Sequence, residues 1–254
     1  MAGKRAARRS VADRILEEKR KIAAETHGTI SDGRWAWDWT KSLLVALGLF
    51  LLIRTFLVEA FRIPTGSMEQ TLLVGDFLLV NKAAVGGRVP FTSRRVVGLA
   101  PPQTGDIVVF SLPHDQTRTY VKRIVASGGD VVAMRAARLH RNGHPVQDPA
   151  AHHAGAPDLS TPAMQWQCRF RVEPDAPCAP TRDNWGPLRV PHGSFMLLGD
   201  NRDNSEDSRY WGFVPRSSVR GTPLVIYFSY EPTAPVAVPW LGGVRWERIG
   251  RRVH

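Results

Sequence analysis

Thr119-Tyr-Val-Lys-Arg-Ile-Val125 reads as a strand. β-branched and aromatic residues dominate it, and an alternation of period two sets Tyr120, Lys122 and Ile124 on one face and Val121, Arg123 and Val125 on the other. Working outward, the same signature returns in Gly105-Asp-Ile-Val-Val-Phe110, Asp76-Phe-Leu-Leu-Val-Asn-Lys82, Ser194-Phe-Met-Leu-Leu198 and Pro223-Leu-Val-Ile-Tyr-Phe-Ser229, short runs bounded by Gly, Pro or Asp. Arg141-Asn-Gly-His144, inside Leu139 to Val146, is a hairpin signal, because Asn-Gly supplies the positive φ angles of a tight two-residue turn. These runs predict a mainly β domain with little helix and no internal repeat.

Upstream lies one long apolar run, Ser42-Leu-Leu-Val-Ala-Leu-Gly-Leu-Phe-Leu-Leu-Ile53, continued past Arg54 by Thr55-Phe-Leu-Val58. That length reaches the lower limit for a bilayer-spanning helix, with Trp35, Trp37 and Trp39 placed for the near headgroup layer and Arg54 able to snorkel at the far end. Basic residues crowd the chain from Lys4 to Lys41, so the positive-inside rule puts the N-terminus in the cytoplasm and exports the residues after Val58. The expected organisation is a basic cytoplasmic segment over 1–34, a transmembrane helix with its aromatic flank over 35–58, and an exported β-rich domain over 59–254. Within that domain, 135–190 is expected to form an accessory hairpin and loop region, and in the basic segment Val11 to Thr26 fits a charged amphipathic helix. A buried core helix would not explain the flanking tryptophans and one-sided charge. A cleaved signal peptide competes more closely, since Val58-Glu-Ala60 has the small-residue spacing of a cleavage site, but the polar stretch ahead of the run is far longer than an ordinary n-region.

The 254 residues, 43% of them hydrophobic, suffice for one medium domain plus accessory segments, and the net charge of +11 points to an anionic partner. With a membrane span in the chain, that partner is expected to be anionic lipid and not nucleic acid, with Trp211, Phe213 and Trp240-Leu241 as candidate contacts. Cys168 and Cys178 fall in a loop-like stretch rich in proline and aspartate, Pro149 to Pro187, and in an oxidising compartment they are expected to pair. No metal or other cofactor is expected. Neither cysteine has a partner at ligand spacing, and His152 and His153 are adjacent. The polar string Gly199 to Pro215 lacks the sixth-position glycine and twelfth-position glutamate of a calcium loop.

Beyond the apolar run only two lysines remain, Lys82 and Lys122, among many arginines. A serine hydroxyl is a weak nucleophile until a base takes its proton, and arginine stays charged. Ser67, in the turn Pro64-Thr-Gly-Ser67, is placed to project its hydroxyl and leave backbone N–H groups free for an oxyanion. Its base would be a lysine, a carboxylate or a histidine, and none of the histidines considered, from His114 to His254, lies in a strand-like apolar setting. Lys82 shares a face with Leu78 and Val80, as Lys122 does with Tyr120 and Ile124. An unperturbed lysine is neutral at pH 7 only at a cost of about 4.6 kcal/mol, so burial is what would make either one a base. Periodicity does not choose between them, and the ordinary alternative for each is a stem packed on apolar surface with a solvated head.

Four ordered blocks carry a resemblance: Ile63-Pro-Thr-Gly-Ser-Met68 with Thr71-Leu72, Gly75-Asp-Phe-Leu-Leu-Val-Asn-Lys82, Gly105-Asp-Ile-Val-Val-Phe110 with Tyr120-Val-Lys-Arg123, and Gly199 through Pro215. From about Phe61 to its C-terminus the chain closely resembles bacterial signal peptidase I, the membrane-bound serine proteases of the Ser-Lys type. The resemblance implies an antiparallel β-sheet catalytic domain anchored by one N-terminal transmembrane helix in the bacterial cytoplasmic membrane, with the catalytic domain on the periplasmic or outer face. It implies Ser67 as nucleophile and Lys122, not Lys82, as general base. The Ser67 backbone N–H and the Thr65 hydroxyl would form the oxyanion hole, Ser205 would hold the Lys122 ammonium, and Asp207 and Arg209 would form an ion pair beside the site. Ile63, Met68, Leu72, Tyr120 and Val121 match positions lining shallow pockets that accept small P1 and P3 side chains. The implied substrates are exported preproteins, cut after a small P1 residue to release the signal peptide, with no cofactor. Gln70 departs from the family by standing where proline is usual, and Ser127-Gly-Gly-Asp130 lacks the proline common after the lysine strand; neither removes a reacting group. The family often has more than one membrane segment, whereas one is found here. A relative dedicated to a single substrate, such as a conjugative pilin, would share the dyad, and an inactive anchored β-domain that binds exported peptides is the non-enzymatic alternative. A self-cleaving repressor would need a DNA-binding domain where this chain has a membrane span.

Overall fold

The structure, a computed structural model, describes residues 13–21, 32–86, 98–113, 115–175, 177–233 and 243–253, and the chain divides into two compact units, 1–52 and 53–254. Residues 13–21 are helical with exposed side chains (α1), and a second helix is α2 (Asp32–Phe56). Trp35–Phe56 is long and apolar enough to cross a membrane, with a mean hydropathy of 1.5 and no part of that window buried. Its leucines and Trp35, Trp37 and Trp39 stay exposed, the surface of a helix whose apolar side chains have no protein core to enter. The helix stops at Phe56, short of the expected Val58, because Val58-Glu-Ala-Phe-Arg62 alternates and pairs as a strand.

The strands of the second unit are β1 (Val58–Arg62), β2 (Asp76–Asn81), β3 (Ile107–Leu112), β4 (Asp115–Ser127), β5 (Val131–Arg135), β6 (Arg138–Arg141), β7 (His144–Pro145), β8 (Trp185–Arg189), β9 (Ser194–Leu198), β10 (Val214–Pro215) and β11 (Val219–Ser229). They build a seven-stranded sheet in the order β1-β2-β11-β3-β4-β9-β10 and a four-stranded sheet in the order β7-β6-β5-β8, with every pairing antiparallel. In the larger sheet β4 lies between β3 and β9, in a register that sets Val108 opposite Lys122 and Leu198 opposite Arg123.

The core forms where the alternating apolar faces meet. One cluster joins Ile63, Met68 and Leu72 from the Ser67 turn to Leu78, Val80, Ile107, Val109 and Ile226 of the sheet. A second packs Val108, Phe110, Leu112 and Ile124 against Phe195 and Leu197, and a third seats the smaller sheet on β4 and β9 through Val132, Met134, Leu139 and Leu188. Full burial of one such Leu or Met side chain contributes about 1.5–3 kcal/mol.

Strands β6, β7 and β8 of the smaller sheet fall in the 135–190 region read as hairpin and loop, whereas β5 starts before it, at Val131. Asn142 and Gly143 take φ of 54° and 84° between β6 and β7, the conformation the Asn-Gly pair was expected to supply. The stretch read as loop holds more structure than expected, a 3-10 segment over Pro162–Arg169 and strand β8, and Cys168 is bonded to Cys178. Trp211 packs 5.6 Å from the Phe110 ring, and Phe213 lies edge-on to Trp166 and Phe170 at 5.0 and 5.3 Å, each left partly exposed. Trp240 and Leu241 lie outside the described residues.

Candidate active site

Ser67 sits in a 3-10 turn, Gly66–Met68, entered from Thr65 in extended conformation. Met68 and Leu72 anchor the turn in the core, and Leu72 N–H donates to Met68 O at 2.7 Å. From the opposite side Asn201 clamps it, donating its backbone N–H to Ser67 O at 3.2 Å and its side-chain amide to Gly66 O at 3.3 Å. Gly199 makes room for this approach: a Cβ there would lie 2.2 Å from Ser205 Oγ and 2.5 Å from Ser67 O, closer than side-chain atoms tolerate.

Lys122 reaches the turn from the middle of β4. Its Nζ donates to Ser67 Oγ at 2.6 Å, and only 3% of the residue is exposed. Burial strips water from the ammonium and lowers its pKa from 10.5 to about 8; Asp207 opposes the shift and Arg209 assists it. Lys82, the other lysine of the second unit, lies just past the end of β2, with its Nζ 3.3 Å from Glu59 and donating to Arg54 O. Of the two, the structure brings Lys122 to the serine.

Two buried ion pairs brace the site. Asp207 receives Arg209 Nε and Nη2 at 2.8 Å each and also accepts Gly199 N–H, with neither side chain exposed. Burial acts to raise the Asp207 carboxyl, but Arg209, the hydrogen bonds and Lys122 outweigh it and hold it below the usual carboxylate range. The second pair was missed in the sequence. Arg123 binds Asp200 through Nε at 2.8 Å and Nη2 at 2.7 Å, and Thr71 Oγ1 donates to the same carboxylate at 2.6 Å. Its only signal was an arginine inside an apolar strand, which needs a carboxylate if it is buried, and the acidic block after β9 is where one was available.

Ser205 departs from its expected role. Its hydroxyl is buried without a hydrogen-bond partner, packed toward Gly199, while the Lys122 bond goes to Ser67. Thr65 is exposed, and its side chain makes no capping bond to the turn. Of the expected pocket residues, Tyr120 and Val121 are partly buried and Ile63 and Met68 nearly fully so. Leu72 has no accessible surface and packs in the core behind the turn.

Ligand atoms of His153, Asp183 and Asp203 converge within 4.8 Å of one another, the one such grouping among the described residues. Arg182 stands among them, 3.0 Å from Asp183 and 3.5 Å from Asp203, so a fixed guanidinium already supplies positive charge there.

A buried amine on a turn serine is the apparatus of acyl transfer without a histidine. Residues 36–228 match the family described as signal peptidase, peptidase S26. The chain belongs to this family. The signal peptidase I of Pseudomonas fluorescens is 36% identical over 219 residues, 77% of this chain and 74% of that protein. The signal peptidase I of Pseudomonas aeruginosa is 35% identical over 216 residues, 76% and 72% of the two chains, and that of Aquifex aeolicus 32% over 214 residues, 70% and 79%. As a member of peptidase family S26 the protein is a serine endopeptidase, and the four signal peptidase blocks of its sequence include the turn, β4 and the Gly199–Pro215 wall that together build this site.

Proposed function

We propose that the protein removes signal peptides from exported preproteins through an acyl-enzyme on Ser67, with Lys122 as general base. The observation that carries this reading is the 2.6 Å bond between Lys122 Nζ and Ser67 Oγ in a setting dry enough to bring the lysine to about 8. At that pKa roughly one lysine in ten is neutral at pH 7, against fewer than about one in a thousand for the free side chain. The neutral amine takes the Ser67 proton as Oγ attacks the carbonyl of a small P1 residue. The Ser67 N–H and the Thr65 hydroxyl then stabilise the oxyanion, and the protonated lysine gives its proton to the departing amine. Lys122, neutral again, activates the water that hydrolyses the ester.

Asp207–Arg209 and Asp200–Arg123 hold the wall against which the turn rests, and Tyr120, Val121, Ile63 and Met68 border the P1 and P3 pockets. Ser205 packs beside Gly199, where the wall meets the Ser67 turn. Small pockets discriminate by only about 1–3 kcal/mol per methylene, so joint tethering of enzyme and preprotein to one membrane adds selectivity. In this reading 1–34 is cytoplasmic, 35–58 anchors the chain with its helix ending at Phe56, and 59–254 works on the outer face beside anionic lipid; nucleic acid has no part. The region 135–190, with its disulfide, is an accessory unit. Cleavage of a preprotein in detergent by wild type, Ser67→Ala and Lys122→Ala tests the assignment: both variants should be inactive, and turnover by either would overturn it.

A further inference from the structure

The accessory region reaches back to the site through one carbonyl. The chain after Asp207 forms a one-turn helix, α3 (Ser208–Trp211), and a helix leaves its last carbonyls without intrahelical partners. The carbonyl of Arg209 is taken by two side chains of the accessory 3-10 segment, Trp166 Nε1 donating at 3.1 Å and Gln167 Nε2 at 2.9 Å. In a 3-10 helix residues three apart share a face, and Met164 and Gln167, both fully buried, are the pair turned inward. Burying an amide costs free energy unless it is bonded, and Gln167 Oε1 has no hydrogen-bond partner, so what the fold retains at 167 is the donor. Arg209 carries this hold toward the dyad. Its guanidinium grips Asp207 and donates to Arg202 O at 2.7 Å, while Asp207 accepts Gly199 N–H beside Ser67. The charged groups that act on the Lys122 ammonium, Asp207, Arg209, Asp200 and Glu206, all stand on this stretch after β9.

We propose that Trp166 and Gln167 are positioning residues for the general base, acting through the Arg209 carbonyl to keep the wall closed over the Lys122 side chain. The proposal rests on the Ser67–Lys122 dyad of the proposed function. Neither residue bonds a reacting atom. Burial is the largest influence on Lys122, ahead of Asp207, which favours its charged form, and Arg209, which disfavours it. A wall that opens therefore readmits water to the ammonium, and the lysine moves from about 8 back toward 10.5. The loss has a signature that general loosening lacks: activity missing at neutral pH returns where even a hydrated lysine sheds its proton.

Full-length protein in detergent, assayed on a preprotein for kcat and KM from about pH 6 to about pH 10.5, tests this with Trp166→Phe, Gln167→Leu and their double variant. These substitutions keep most of the side-chain bulk and remove the donors. Each single variant should move the bend of the kcat profile upward by about half a pH unit and the double variant by about one, lowering kcat at pH 7 about threefold and about tenfold. At the alkaline plateau kcat should return to within about twofold of wild type, with KM within about twofold throughout. A bend left at its wild-type position, near pH 8, or a kcat lowered equally at every pH, would overturn the proposal. If the double variant does not fold, the Gln167→Leu profile decides alone. Lys122→Ala run in parallel separates the two readings: turnover there removes the dyad, whereas an inactive Lys122→Ala beside variants with the wild-type bend removes only the positioning role.

Discussion

Lys82 and Lys122 hold equivalent places in the alternation of their strands, and the fold treats them in opposite ways. Lys122 lies mid-strand in β4 with β3 and β9 on either side, so its stem has nowhere to run but across the core to Ser67. Lys82 stands one residue beyond the end of β2, its side chain 19% exposed, and meets a carboxylate at a partly solvated edge. The difference teaches that strand pattern sets which face a lysine points from, while the position in the sheet sets whether the ammonium keeps its water.

The sharpest way to break this contrast is at the amine itself. Lys122→Ala should lower kcat/KM by at least about a thousandfold, and Lys82→Ala should leave it within about twofold, when both are measured on one preprotein. Wild-type turnover should climb about tenfold per pH unit below a bend near pH 8, as the lysine loses its proton; a flat profile between pH 5 and 7 would contradict a neutral lysine.

Next in size is the pair that braces β4. Asp200→Asn removes the carboxylate that Arg123 grips through Nε and Nη2 and should cost about 3 kcal/mol in denaturant unfolding. A loss under about 1 kcal/mol would mean that the pair is not needed to hold the wall.

The dry setting of Lys122 predicts a stability effect of opposite sign. Its folded pKa, about 8, lies below the unfolded 10.5, so the unfolded chain binds more protons between those values and stability rises with pH across the window. Below pH 8 the full penalty applies, about 3 kcal/mol. Lys122→Met should therefore be inactive yet more stable at pH 7, by about 1–3 kcal/mol, with the advantage fading as pH approaches 10.5. An unchanged stability would show that the amine is solvated. The smallest effect belongs to Lys82→Ala, whose loss of the Glu59 contact should cost less than about 1 kcal/mol.

The strands whose alternation is local were legible. Ser194–Leu198 appears with the bounds its residues suggested, and the Asn-Gly hairpin takes the angles its turn demanded. β1 was hidden because Val58 and its neighbours prolong an apolar run, and only pairing with β2, more than a turn of chain away, reveals them as strand. At the site, alternation exposed Lys122 and the turn exposed Ser67; alternation alone left Lys82 and Lys122 level, the four-block resemblance chose Lys122, and the sheet order gives the physical reason. Arg123–Asp200 stayed out of view because parity turned Arg123 away from Lys122 and the carboxylate arrives from the end of β9, a partner set by tertiary pairing. The positive φ of Gln70 had no local signal at all, since neither glycine nor asparagine marks it.

The place of β4 between β3 and β9 has a consequence for the chain while it is being made. Until both neighbours have docked, Lys122 is an ordinary lysine near 10.5, and Ser67 has no base beside it. β9 and the wall beyond it lie far along the chain, so the reactive pair is completed only after most of the polypeptide has been synthesised and threaded into place. In the proposed mechanism a half-built chain therefore lacks the neutral amine on which cleavage depends.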